Sequence, residues 1–178
     1  MTIRSKPLAV ITAMILIAGI AVSMAFNLWR TESAKIPVRY STGDFEGEYN
    51  PADIRGSYAL GDIADNFDVT VAVLAEAFLV DDTDAPAEFQ LKELEELYGE
   101  LHDGGEIGTD AVRLFVARYL GLPYEAEETT RLPAPAVRLL EDRVSEVELA
   151  RLRTISVAAG VLRDSRPAET ESETHAEA

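Results

Sequence analysis

Residues 7–29 read PLAVITAMILIAGIAVSMAFNLW, 23 consecutive positions without a charged side chain. At about 1.5 Å rise per residue a helix of that length covers the roughly 30 Å hydrocarbon core of a bilayer. In lipid only a helix satisfies every backbone polar group within one segment. Trp29 closes the run where an amphipathic ring favours the interface. The segment is therefore expected to be a transmembrane anchor. A cleaved signal peptide is the alternative, since Ser23-Met24-Ala25 is a small-x-small site. Against it, the run exceeds the roughly 7–15-residue core of a signal peptide. Arg4 and Lys6 before the run are nearly balanced by Arg30, Lys35 and Arg39 after it. The signal-anchor layout, a short basic N-terminus followed at once by the apolar run, tips the orientation to N-inside and places the rest of the chain outside the cytoplasm.

The remaining residues can support one hydrophobic core. They are strongly acidic, and the distribution of charge matters more than the net value of -16. Residues 1–40 carry +4, residues 44–128 carry -18, residues 131–166 carry +2 and the last twelve residues carry -4. Such a block repels nucleic acid, whose binding requires clustered Lys and Arg to release counterions. It also repels anionic lipid headgroups. Three lysines stand against thirteen arginines. That bias fits a high-salt source and fits a compositional drift equally. The absence of cysteine excludes disulfides, iron–sulfur ligation and zinc–thiolate sites within the chain. With only His102 and His175 available, bis-histidine haem ligation has no basis, and no cofactor is expected.

Residues 30–50 carry no period and read as a linker, with a short extended stretch at Ile36–Tyr40. Helical spacing begins at Leu60, Ile63, Ala64 and Phe67. A turn with Thr70 as N-cap leads to Val73, Leu74, Ala77 and Phe78. Leu91, Leu94, Leu97 and Tyr98 form the next apolar face, which Gly99 and Gly104-Gly105 terminate. Thr109 is expected to cap a helix carrying Val112, Phe115, Val116 and Tyr119, which Gly121 and Pro123 stop. The recurring layout reads either as an internal duplication or as a plain helical globule. A last helix is expected from Leu132-Pro133 to about residue 163, with Val137, Leu140, Val144 and Val147 on one stripe. Its net positive charge suits it to pack on the acidic block. The expected fold class is all-α: an anchor over 7–29, a linker over 30–50, an acidic domain of about five helices in two helix–turn–helix units over 51–163, and a disordered acidic tail over 164–178.

Four phrases form a series: Pro51-Ala52-Asp53-Ile54-Arg55-Gly56-Ser57-Tyr58 with Gly61-Asp62-Ile63; Phe89-Gln90-Leu91-Lys92-Glu93-Leu94-Glu95; Glu106-Ile107-Gly108-Thr109; and Phe115 through Tyr124. Together they resemble the extracytoplasmic helical segment attached to NapH-type membrane ferredoxins and to small cytochrome-b-like membrane proteins, over residues 50–140. The resemblance implies an accessory segment beside a multi-helix membrane redox protein. Those ferredoxins carry cysteine clusters and several membrane helices, which this chain lacks. Electron transfer would then belong to a partner.

The carboxylates Asp53, Asp62 and Asp65, and Glu106 with Asp110, invite an acid/base reading. A hydrolase needs two carboxylates in a cleft with separated pKa values, and among 32 acidic residues chance pairs are expected. Asp81-Asp82-Thr83-Asp84 offers oxygen ligands but lacks the glycine and the bidentate glutamate of a calcium loop. Arg55, Arg113 and Arg118 are rare cations in the acidic block, suited either to an anionic ligand or to internal ion pairs. The expectation is a non-catalytic membrane-anchored accessory or interaction module, with an extracytoplasmic ligand- or ion-binding domain as the alternative. Asp53, Arg55, Asp62, Glu106, Arg113 and Arg118 are the candidate partner- or ligand-contacting residues.

Overall fold

A computed structural model of the chain describes residues 35–80, 84–99 and 101–158, together with Met14. The chain divides into two compact units, Met1–Lys35 and Ile36–Ala178. The anchor expected over 7–29 and the tail over 164–178 lie outside the described residues, Met14 apart, as do Asp81, Asp82 and Thr83 of the acidic tetrad. Among the described residues no helix is long and apolar enough to cross a membrane.

The second unit is mostly helical, as its periodicity predicts. Six α-helices are described: α1 (Leu60–Asn66), α2 (Val71–Ala77), α3 (Glu93–Tyr98), α4 (Thr109–Leu120), α5 (Ala134–Leu139) and α6 (Glu146–Thr154). Short 3-10 turns at Pro51–Asp53 and Pro86–Glu88 precede α1 and α3. Proline opens each, where its missing N–H costs no hydrogen bond. Two-residue strands β1 (Leu132–Pro133) and β2 (Ser156–Val157) pair in parallel, Leu132 opposite Ser156. These strands are too short to leave a period in the sequence.

Local signals place most helix ends. Thr70 caps α2, its hydroxyl accepting from the Val73 N–H at 3.3 Å. Gly121 ends α4 in the left-handed region (φ 71°), where a side chain is strained. Thr109 is not the cap of α4. It is the first helical residue, and Gly108 holds the cap position. A Cβ at residue 108 would lie 2.6 Å from a carboxylate oxygen of Glu95, so a larger residue there would require the Glu95 side chain to move.

The expected last helix is broken. Residues 140–145 form turns between α5 and α6, and Ser145 caps α6 by accepting from the Glu148 N–H at 3.3 Å. The Ser-x-x-Glu pattern at 145–148 carries that start signal. The apolar stripe read across it does not survive: Val147 is 83% exposed.

The core gathers around α4, which buries Ala111, Val112, Leu114, Phe115, Val116 and Ala117. Phe78 meets Phe115 edge to face at 5.7 Å, a favourable quadrupole geometry. Tyr98 brings a hydroxyl into the same core and satisfies it by donating to the Phe78 carbonyl at 2.6 Å. Helix α1 packs on α2 and on the 86–88 turn, α2 on α5, and α5 on α6. Phe67, Phe78, Tyr98 and Phe115 are buried, while Phe89 and Tyr119 are half-buried at the margin. The segment 36–50, expected as linker, is bonded to this domain: Val38 donates its N–H to Asp53 at 2.8 Å, and Tyr40 donates its hydroxyl to the Pro123 carbonyl at 3.0 Å.

Candidate functional site

Asp110 lies in the first turn of α4, and the aperiodic segment 122–131 closes over it. Its Oδ2 accepts from the Thr130 hydroxyl at 2.6 Å and from the Glu127 N–H at 3.0 Å. Its Oδ1 accepts from the Tyr124 hydroxyl in a short hydrogen bond, and Arg113 Nη1 stands 3.7 Å from the same oxygen. The Asp110 side chain is 14% exposed and Thr130 is 2% exposed. Burial pushes the Asp110 carboxyl up, but the hydrogen bonds from Thr130, Tyr124 and Glu127, with the Arg113 charge, outweigh it and hold the group below the usual carboxylate range. The Tyr124 hydroxyl is pushed up to about 12, by burial first, then by its hydrogen bond to Asp110 and by the Asp110 charge. By accepting from three donors, the Asp110 carboxylate fastens the 122–131 segment to the first turn of α4.

The six candidate residues do not converge on one place. Asp53, Arg55 and Arg113 come together near Ile54. Asp53 accepts from the Val38 N–H and, at 3.1 Å, from Arg55 Nη2, and Arg113 Nε donates to the Ile54 carbonyl at 2.8 Å. The Val38 N–H is the chief cause of a lowered Asp53 pKa, and Asp53 raises that of Arg55. Asp62 sits in the first turn of α1 and accepts from the Ala59 N–H at 2.6 Å. Glu106 pairs by its backbone with residues 129–131 and accepts at 3.3 Å from the Thr129 hydroxyl. Arg118 bridges α4 to α6 through Glu148 at 2.6 Å and to the Tyr124 carbonyl at 3.0 Å.

Open clefts mark the surface formed by the described residues. One of about 130 Å³ lies beside Arg118, Glu148 and Arg151. One of about 290 Å³ lies between Glu95 and Glu106. The third, of about 380 Å³, has Phe45, Tyr49 and Phe67 in its wall. Among the described residues no group of three or more His, Asp or Glu is arranged to hold a metal ion. No known protein family matches the chain, and neither does any curated protein or solved structure.

Sequence reading passes over the Asp110 fastening and the aromatic cleft for one reason. Each joins a helix terminus to an aperiodic segment. The one local clue to the fastening is an acid in the first turn of a helix, and that acid serves the helix dipole equally well. Tyr124 and Thr130 carry no pattern that ties them to Asp110.

Proposed function

We propose that the chain is a membrane-tethered, non-catalytic accessory module that docks on a larger membrane protein. Residues 7–29 form its anchor, and the acidic helical domain lies outside the cytoplasm. One observation carries the reading: the ionisable groups that would serve an internal site are engaged in holding the fold. Arg113 and Arg118 tie α4 to the 54 carbonyl and to α6, Asp110 clips the 122–131 segment, and Asp53 clips residue 38. What the domain offers outward is an acidic exterior. The likeness of residues 50–140 to segments on NapH-type ferredoxins and cytochrome-b-like membrane proteins points to a redox protein as the partner, and the electron carriers would be the partner's own.

The test is capture of the full-length tagged chain from its native membrane in mild detergent, read by mass spectrometry and visible absorbance. A recurrent multi-helix partner carrying haem or iron–sulfur absorbance is the expected result. A colourless single species overturns the reading and moves a ligand- or ion-binding domain to the front. That alternative is measured by a rise in thermal stability with added ligand, following RT ln(1 + [L]/Kd).

A further inference from the structure

We infer that the cleft walled by Phe45, Tyr49 and Phe67 is a receptor for an arginine side chain presented by a partner polypeptide. At about 380 Å³ it lies at the small end of the roughly 300–1,000 Å³ range of ligand clefts. Within its aromatic wall the Tyr49 and Phe67 rings stand 5.9 Å apart, tilted by 58°. Asp44, Glu48 and Asp68 line the same cleft. Their carboxylates have no hydrogen-bond or ion-pair partner among the described residues. Six carboxylates of the domain, Asp53, Glu76, Asp103, Asp110, Glu141 and Glu148, each meet an arginine, and these three do not. Three unmatched acids around an aromatic wall combine the two attractions a guanidinium uses, stacking on a ring face and forked bonding to carboxylate.

The wall already carries one such contact. Arg39 lies over the Tyr49 ring, its Cζ 3.6 Å from the centroid, and donates to the Gly47 carbonyl. Tyr49 is thus a working guanidinium platform, and the single charge of Arg39 leaves the three acids in excess. Lysine fits less well, because its compact, strongly hydrated ammonium neither stacks nor forks. The partner's identity as a polypeptide rests on the accessory-module reading. The preference of the cleft for guanidinium does not.

Full-length protein in nanodiscs is titrated with acetyl-Gly-Arg-Gly-amide, and with the Lys and Gln analogues at matched ionic strength, by amide NMR. Saturable shifts confined to residues 44–49 and 66–68, strongest for the arginine peptide, are expected. The triple variant Asp44→Asn, Glu48→Gln, Asp68→Asn, which alters only exposed side chains, should weaken binding about tenfold or more. Tyr49→Leu, which keeps all three acids, should weaken it about threefold or more. Shifts spread over the whole acidic surface, equal response to Lys and Arg, or indifference to the triple variant would overturn the inference. Capture from native membranes then separates the two levels. If the triple variant recovers the wild-type partner undiminished, the cleft is not the dock, although the module reading stands. If the wild type recovers no partner, the module reading falls and the polypeptide occupant with it, and the titration alone decides whether the cleft takes a small guanidinium compound.

Discussion

Asp110 and Asp68 are carboxylates of one acidic domain held in opposite circumstances. Asp110 is shielded and accepts from a tyrosine, a threonine and a backbone amide, with an arginine alongside. Asp68 is exposed beside Phe67, with Asp44 and Glu48 as neighbours around a cleft and no bonding partner among the described residues. The difference separates acids that hold the fold from acids that face outward. Net charge cannot make that distinction, because each residue adds the same unit to the total. Only the surroundings decide whether a carboxylate is structure or surface.

The sharpest way to break the comparison is Asp110→Ala. It strips the acceptor from Tyr124 and from Thr130, whose hydroxyl is buried, and should cost roughly 3–4 kcal/mol in denaturant unfolding of the full chain. Tyr124→Phe removes one donor of three and should cost about 1.5 kcal/mol. The two variants also separate in pH. Asp110 has a folded pKa below its unfolded value of about 3.9, so its contribution is complete above that value and is lost as pH falls through the folded one. Asp110→Asn should flatten the acid limb of the stability profile. The raised Tyr124 pKa acts at the other end. Its contribution is complete below about 10 and is lost as pH rises toward about 12, so Tyr124→Phe should flatten the alkaline limb.

Smaller effects sharpen the contrast. Arg138 pairs with Glu76 at 2.9 Å while 64% exposed, and Arg138→Ala should cost less than about 1 kcal/mol, falling further in high salt. Smallest of all, neutralising Asp44, Glu48 and Asp68 together should leave stability within about 0.5 kcal/mol of the parent. A large loss there would show that the rim holds the fold after all, and would erase the distinction.

What could be read from the sequence follows the range of each signal. Thr70 capping α2, Gly121 stopping α4 and the apolar face of α4 are local, within one or two turns, and each stands where its spacing puts it. The break between α5 and α6 was present as Ser145 and Glu148, but an apolar stripe running through it gave a competing period. The Asp110 fastening spans 14 and 20 residues into a segment without periodicity, and the aromatic cleft joins the 44–49 loop to the end of α1. Neither has a spacing to betray it. Of the six residues singled out as contacts, five serve chiefly to fix backbone or bridge elements, and Arg55 serves one of those five, Asp53. Rarity of charge singled out Arg55, Arg113 and Arg118, and each of the three is bonded within the architecture.

The bond from the Val38 N–H to Asp53 has a mechanical meaning. The next residue, Ile54, gives its carbonyl to Arg113 in the middle of α4. Tension applied at the N-terminal end of the domain therefore reaches α4, the longest described helix, through two consecutive hydrogen-bonded steps. The antiparallel Arg39–Tyr49 bridge and the bonds flanking it, Tyr40 N–H to Glu48 and Asn50 N–H to Val38, fasten the same segment to residues 48–50.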